Sequence, residues 1–224
     1  MYSLAFDTTG RSCSIALMKG DKVQDCFEQK MDFGQSEVLI PQIDKLLSQN
    51  NLCFNNLDAV FVCVGPGSFT GVRASISAAR VFNIALSSLK LGGVSAFDVY
   101  RYTFDNDCIS EINAIIIETR RDDFYVQLLD KNLQKITNPQ VMTYEELLNS
   151  LKEKGRKVSV VGDGVERFLN KPSGLCLHSI KMFDSVPINI LAKVGMDMLK
   201  EKKLNFPKPL YLRAAEVSAP SNLK

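Results

Sequence analysis

A chain of 224 residues is long enough for one large domain or two small ones with a substantial core. Its 46% hydrophobic and 23% charged residues exclude wholesale disorder, and a formal charge of +2 supplies no nucleic-acid footprint by itself, although a local basic groove stays open. No apolar run reaches the ~20 residues of a membrane span, and Asp7 follows Met1 too closely for a secretory leader, so a cytoplasmic protein is expected.

Residues 2–7, 12–18 and 22–28 read as three short strands, turned at Thr9-Gly10 and Gly20-Asp21. In the second, Cys13, Ile15 and Leu17 alternate with Ser12, Ser14 and Ala16. A helix is expected over residues 36–50, with Leu39, Ile43, Leu46 and Leu47 striped opposite Asp44, Lys45, Ser48 and Gln49. Pro41 either opens that helix or bends its first turn. A strand over 58–64 then enters Gly65-Pro66-Gly67-Ser68-Phe69-Thr70-Gly71-Val72-Arg73, and a helix over about 68–87 leaves it. The glycines admit positive φ and close backbone approach, while Ser68 or Thr70 can cap the helix. Its first amides can then meet an anion or a partner backbone. Val72, Ile76, Ala79 and Asn83 recur at one helical spacing, with Gly71, Ala74, Ser75 and Ala78 on neighbouring faces.

The second half starts the pattern again. Ile112–Glu118, Phe124–Asp130 and Leu133–Thr137 read as strands, Thr143–Lys154 as a helix, Lys157–Gly162 as a strand and Pro187–Lys203 as a long amphipathic helix. Sequential strands join through hairpins, whereas strand-helix-strand passages require parallel crossovers. The expected fold class is α/β, with two ribonuclease-H-like lobes whose mixed sheets are flanked by helices. Asp105-Asn106-Asp107 breaks the apolar rhythm and places the division between residues 1–104 and 105–224, with the terminal segment assignable to either lobe. Six cysteines without a Cys-x-x-Cys pair read as reduced thiols.

Two such lobes resemble the actin, heat-shock ATPase and sugar-kinase superfamily. In that frame Asp7-Thr8-Thr9-Gly10 resembles the first phosphate loop, where a carboxylate holds hydrated magnesium while hydroxyls and amides meet phosphate. The same residues also make an ordinary hairpin. Asp7, Thr8, Thr9, Gly65, Gly67 and Ser68 are the candidate phosphate-binding residues. Gly162-Asp163-Gly164 reads either as an adenosine-facing turn or as a plain strand-to-helix turn. His178, the single histidine, cannot build a paired-histidine metal site, and Gly65-Pro66-Gly67-Ser68 is not a nucleophile elbow.

The turn at residues 65–73 resembles the signature of the bacterial TsaB (YeaZ) family. Leu4-Ala5-Phe6-Asp7-Thr8-Thr9, Gln35-Ser36-Glu37, Gly93-Val94-Ser95, Glu118-Thr119-Arg120-Arg121 and Pro209-Leu210-Tyr211-Leu212-Arg213 extend that resemblance along nearly the whole chain. Two positions depart from it: Gln35 stands where the family commonly has histidine, and Glu118 where it has aspartate. The resemblance implies a noncatalytic subunit that supports a TsaD homologue in threonylcarbamoyl transfer to the tRNA adenosine beside the anticodon. It further implies a TsaE ATPase and tRNA as partners through the complex, a homodimer in isolation, no contact with a membrane and no resident metal. No cofactor is expected on the chain alone; ATP or ADP and magnesium are expected in the assembled complex. By the same resemblance Leu39, Ile43, Leu46, Val72, Ile76 and Ala79 are candidate partner-binding residues on the two helices, although periodicity alone lets those helices simply cover their own sheet. Two other classes compete: an ATP-dependent small-molecule phosphotransferase using an interlobe cleft, and a metallopeptidase.

Overall fold

The computed structural model describes residues 1–154 and 157–213. The first sheet holds β1 (Tyr2–Asp7), β2 (Ser12–Lys19), β3 (Lys22–Lys30), β4 (Leu57–Cys63) and β5 (Lys90–Val94), in the order β3-β2-β1-β4-β5. Hairpins make the first three antiparallel, while α1 (Gln35–Gln49) and α2 (Phe69–Ala85) return the chain so that β1, β4 and β5 are parallel. After α3 (Ala96–Tyr102), the second sheet repeats this plan with β6 (Ile112–Glu118), β7 (Asp123–Leu129), β8 (Gln140–Thr143), α4 (Tyr144–Lys154), β9 (Val158–Gly162), α5 (Val165–Leu169) and β10 (Leu177–Met182). Its order is β10-β9-β6-β7-β8, the same arrangement read from the other edge.

Strand alternation sorts side chains into layers. Leu4, Phe6, Ile15, Leu17, Val60 and Val62 face one way and pack under α1 and α2. Ala5, Ala16, Ala59 and Phe61 face the other way, toward α3, the final helix α6 (Ile188–Lys200), and Ile115, Ile117 and Val161 of the second sheet. A third cluster joins the outer face of that sheet to α4 and α5. Helix α6 lies closest at Gly195, where an added Cβ would stand 2.3 Å from the Phe61 ring. Helix α6 therefore packs on the first sheet although it follows the second in the chain.

Segment 204–213 then runs along the edge of β5. The Gly93 amide donates to the Asn205 carbonyl at 2.8 Å, and the Leu210 amide to the Val64 carbonyl at 2.8 Å. A Cβ at Gly93 would come within 2.9 Å of the Pro207 Cα, which explains why glycine stands in a strand here. The strap covers an otherwise open sheet edge.

One expected strand is corrected. Residues 133–137 form no strand: they are pinned to β7 by an isolated bridge, Leu129 to Lys135, and by the Ile136 and Thr137 amides on the Leu128 carbonyl, and the third strand of the second sheet is β8. Asp130 explains the difference: its Oδ1 accepts the amides of Asn132 and Gln134, each at 2.8 Å, and Leu133 takes φ 56° in the turn thus formed. Helices α3 and α5 were hidden by their shortness, strand β5 by its two glycines, and β10 by an alternation that leaves Ile180 and Met182 exposed. Among the described residues, no helix is long and apolar enough to cross a membrane.

Candidate functional site

The β1–β2 turn and the start of α2 interlock. Asp7 Oδ1 accepts the Thr9 amide at 2.9 Å, while Oδ2 is buried with no hydrogen-bond partner among the described residues. Burial pushes the Asp7 carboxyl above its ordinary pKa, with the hydrogen bonds from Thr9 opposing. The Thr8 hydroxyl lies 2.7 Å from both the Gly71 carbonyl, to which it donates, and the Ser75 hydroxyl. The Ser68 amide donates to the Thr9 carbonyl at 2.8 Å, and the Ser68 hydroxyl caps α2 by accepting the Gly71 amide at 3.3 Å. A Cβ at Gly67 would stand 2.5 Å from the Thr9 carbonyl oxygen, and one at Gly71 would stand 1.9 Å from that of Thr8.

This docking alters the expected phosphate set. Thr9, Gly67 and Ser68 line the cleft between the lobes. Asp7 and Thr8 do not: they are fully buried, and the Thr8 hydroxyl is engaged by α2. Gly65 also lies inside, where its φ of 97° lets the chain pass between Val72 and the Leu210 carbonyl. These three residues serve the joint between turn and helix and stand behind the cleft wall.

The cleft itself has a volume of about 1400 Å³. On its second-lobe wall, Asp163 Oδ1 accepts the Glu118 amide at 3.0 Å. Burial raises the Asp163 carboxyl to about 7, with the neighbouring charges of Glu118 and Asp7 adding to the effect. Gly162-Asp163-Gly164 is thus a close-packed strand-to-helix turn: a Cβ at Gly162 would meet the Ile116 carbonyl oxygen at 2.1 Å. Glu118 takes both oxygens to Arg167, at 2.7 and 2.9 Å, and Oε1 also accepts the Arg120 amide at 2.6 Å. The guanidinium of Arg167 lies 3.8 Å from the centre of the Phe124 ring. The extra methylene of Glu118, relative to the usual aspartate, is thereby used to hold a forked pair.

Across the cleft, Asp32 of the first lobe faces both Arg11 at 3.5 Å and Arg120 of the second at 3.8 Å, and Lys30 meets Asp184 at 2.5 Å. These pairs are exposed and contribute little to stability. Arg213 pairs with Asp123 at the end of the strap. Gln35 uses its amide as a donor, from Nε2 to the Met31 carbonyl at 3.0 Å and the Gly10 carbonyl at 3.4 Å. It braces the hairpin against α1, a task that needs N–H groups and no titrating ring.

The candidate partner-binding residues lie on the inner faces of their helices. Leu39, Ile43, Leu46, Val72, Ile76 and Ala79 are all buried in the core beneath α1 and α2. Large apolar side chains those helices present outward include Ile40, Val81 and Ile84, with Phe69 at the start of α2 and Phe33 just ahead of α1; Val81 is 60% exposed and Ile84 82%. Sequence reasoning passed over them because it followed the strongest stripe. The available signal was two large aliphatics lying off that stripe.

The family described as TsaD: tRNA N6-adenosine threonylcarbamoyltransferase matches residues 34–174 of the chain. The tRNA threonylcarbamoyladenosine biosynthesis protein TsaB of Buchnera aphidicola subsp. Baizongia pistaciae (strain Bp) is 24% identical over 215 residues, covering 93% of this chain and 96% of that protein. The chain belongs to the TsaD family, in its TsaB/YeaZ branch. YeaZ from Pseudomonas aeruginosa superposes with a TM-score of 0.75 at 19% identity, over 94% of this chain and 99% of the other. A Bacteroides thetaiotaomicron VPI-5482 protein with an actin-like ATPase fold and unknown function superposes at 0.52 with 10% identity, over 85% of this chain and 94% of the other. The chain thus shares its two-lobed fold with both, and its first-lobe turn is closed by α2.

Proposed function

We propose that the chain is a noncatalytic supporting subunit of a tRNA threonylcarbamoyl transfer complex, binding a TsaD-type transferase subunit through the outward faces of α1 and α2. The observation that carries this reading is the exposure of Ile40, Val81 and Ile84 on helices whose opposite faces already fill the core. Burying an aliphatic side chain of this size contributes roughly 1.5–3 kcal/mol. Ala74 and Ser77, also off the buried stripe of α2, let a second helix approach closely. The relatives' names supply the pathway, tRNA threonylcarbamoyladenosine biosynthesis.

A subunit of this kind acts by binding the competent arrangement of its partner more tightly than other arrangements. A TsaE-type ATPase and tRNA join the assembly, and ATP or ADP with magnesium binds in the assembly and not on this chain alone. The last point is supported by the burial of Asp7 and Thr8 under α2. Without its partner, the same helical face pairs two copies of the chain. The working location is the cytoplasm.

The test is depletion of the chain followed by nucleoside mass spectrometry of bulk tRNA. Threonylcarbamoyladenosine falls on depletion and returns with the wild-type chain. Nucleotide turnover with phosphate transfer by the purified chain, without any partner, is the contrary result.

A further inference from the structure

The strap that leaves α6 ends at the mouth of the cleft. Its Leu210 amide is held by the Val64 carbonyl and Arg213 pairs with Asp123, so Tyr211 is fixed between two anchors. The Tyr211 ring packs on Phe69 with centroids 5.2 Å apart and planes 31° apart. The Arg73 guanidinium lies 3.8 Å from the centre of the Phe69 ring and donates from Nε to the Tyr211 hydroxyl at 3.2 Å. Three flat groups are thus locked against one another. Yet Phe69 remains 39% exposed and Tyr211 43%, both line the cleft, and neither belongs to a core cluster.

Pre-ordered, half-exposed aromatic rings beside guanidinium groups are the chemistry on which unstacked bases settle, because every base offers a flat π face. The charge balance narrows the ligand further. Among the described residues, six cationic side chains line the cleft and six acidic ones oppose them, so the cleft is no track for a run of phosphates. A single base, with its nucleotide inside a space of about 1400 Å³, fits both facts.

We propose that Tyr211, backed by Phe69 and Arg73, is a stacking site for one unpaired base of the tRNA. This rests on the tRNA-modification reading above. The experiment uses the chain assembled with its TsaD-type partner and titrates an unmodified tRNA transcript. Tyr211→Ala weakens tRNA binding roughly five- to hundredfold, while Tyr211→Phe stays within about twofold. The dependence of affinity on salt keeps the same slope in Tyr211→Ala, since no cation is removed.

Gel filtration with the partner and thermal unfolding accompany each variant. Wild-type tRNA affinity in Tyr211→Ala overturns the proposal. So does a loss that accompanies weaker partner binding or a lowered Tm, which assigns Tyr211 to a protein contact or to the fold. The two readings fail separately. Restored modification by the wild-type chain, with unchanged tRNA affinity in Tyr211→Ala, sinks the stacking site alone; no restoration sinks the parent reading and this one with it.

Discussion

Gly71 sits directly against the Thr8 carbonyl, so closely that a Cβ at position 71 would stand 1.9 Å from that oxygen. The contact joins the first turn of α2 to the β1–β2 hairpin, and the Thr8 hydroxyl closes it from the other side. Gly71→Ala must push these backbones apart, and overpacking of this kind costs about 3 kcal/mol or more. At roughly 2–4 °C per kcal/mol for a chain of this size, calorimetry should show Tm lowered by about 6–12 °C. An unchanged Tm would mean that the turn and helix are not interlocked.

Helices α1 and α2 each divide into a structural and a free face, and substitution separates them. Ile76 and Leu39 are buried, so Ile76→Ala or Leu39→Ala costs about 2–5 kcal/mol in urea denaturation. Val81→Glu and Ile84→Glu, at exposed positions, stay within about 0.5 kcal/mol of wild type. In gel filtration with the TsaD-type partner, only the second pair abolishes co-elution without unfolding the chain. Co-elution of the Val81→Glu, Ile84→Glu double variant would remove these faces from the interface.

The Asp163 carboxyl predicts a pH dependence of stability. Its folded pKa of about 7 exceeds the ordinary 3.8, so between those values the native state holds a proton that the unfolded state has released. Stability therefore falls as pH rises through that window and reaches its full loss above pH 7. About three pH units correspond to on the order of 4 kcal/mol as an upper bound, reduced because Asp163 also lines the solvent-filled cleft. Asp7, likewise raised, acts with the same sign. Asp163→Asn keeps an acceptor for the Glu118 amide and removes the ionisation. Denaturation from pH 4 to 8 should show a flatter profile for this variant and greater stability at pH 8. Parallel profiles would contradict the assignment.

Arg167 joins Glu118, the Asp123 carbonyl and the Phe124 ring with one planar group. Arg167→Lys keeps the charge and loses the fork and the stacking, at about 1–2 kcal/mol after allowance for partial exposure. Glu118→Asp, which retracts the carboxylate by one methylene, should lose a similar amount. Two variants as stable as wild type in urea would show that the pair is ornamental.

Much of the architecture was legible because alternation and helical spacing are local. Cys13, Ile15 and Leu17 against Ser12, Ser14 and Ala16 marked β2, and the Leu39–Leu47 stripe marked α1. Strand β8 was not legible, because Gln140–Thr143 is four residues long and only its pairing with β7 makes it a strand. Strand β5 was obscured by Gly92 and Gly93, whose small size is required by the strap that packs there from the far end of the chain. The site followed the same rule. Ser68 capping could be read from its place before a helix, whereas the closure of Thr8 under Gly71 depends on a contact across 63 positions. The burial of the Leu39 and Ile76 stripes was open to either reading, because the most regular apolar stripe on a helix is the one its own core needs; Val81 and Ile84 lie off that stripe and are exposed.

The central claim is that the outward faces of α1 and α2 support modification of tRNA by a partner. Its most direct measurement is threonylcarbamoyladenosine content, by nucleoside mass spectrometry, in depleted cells expressing either the wild-type chain or the Val81→Glu, Ile84→Glu variant at equal abundance. Full restoration by the wild type and none by the variant is the predicted result. Equal restoration by both, or undiminished modification in depleted cells carrying neither, would contradict the account.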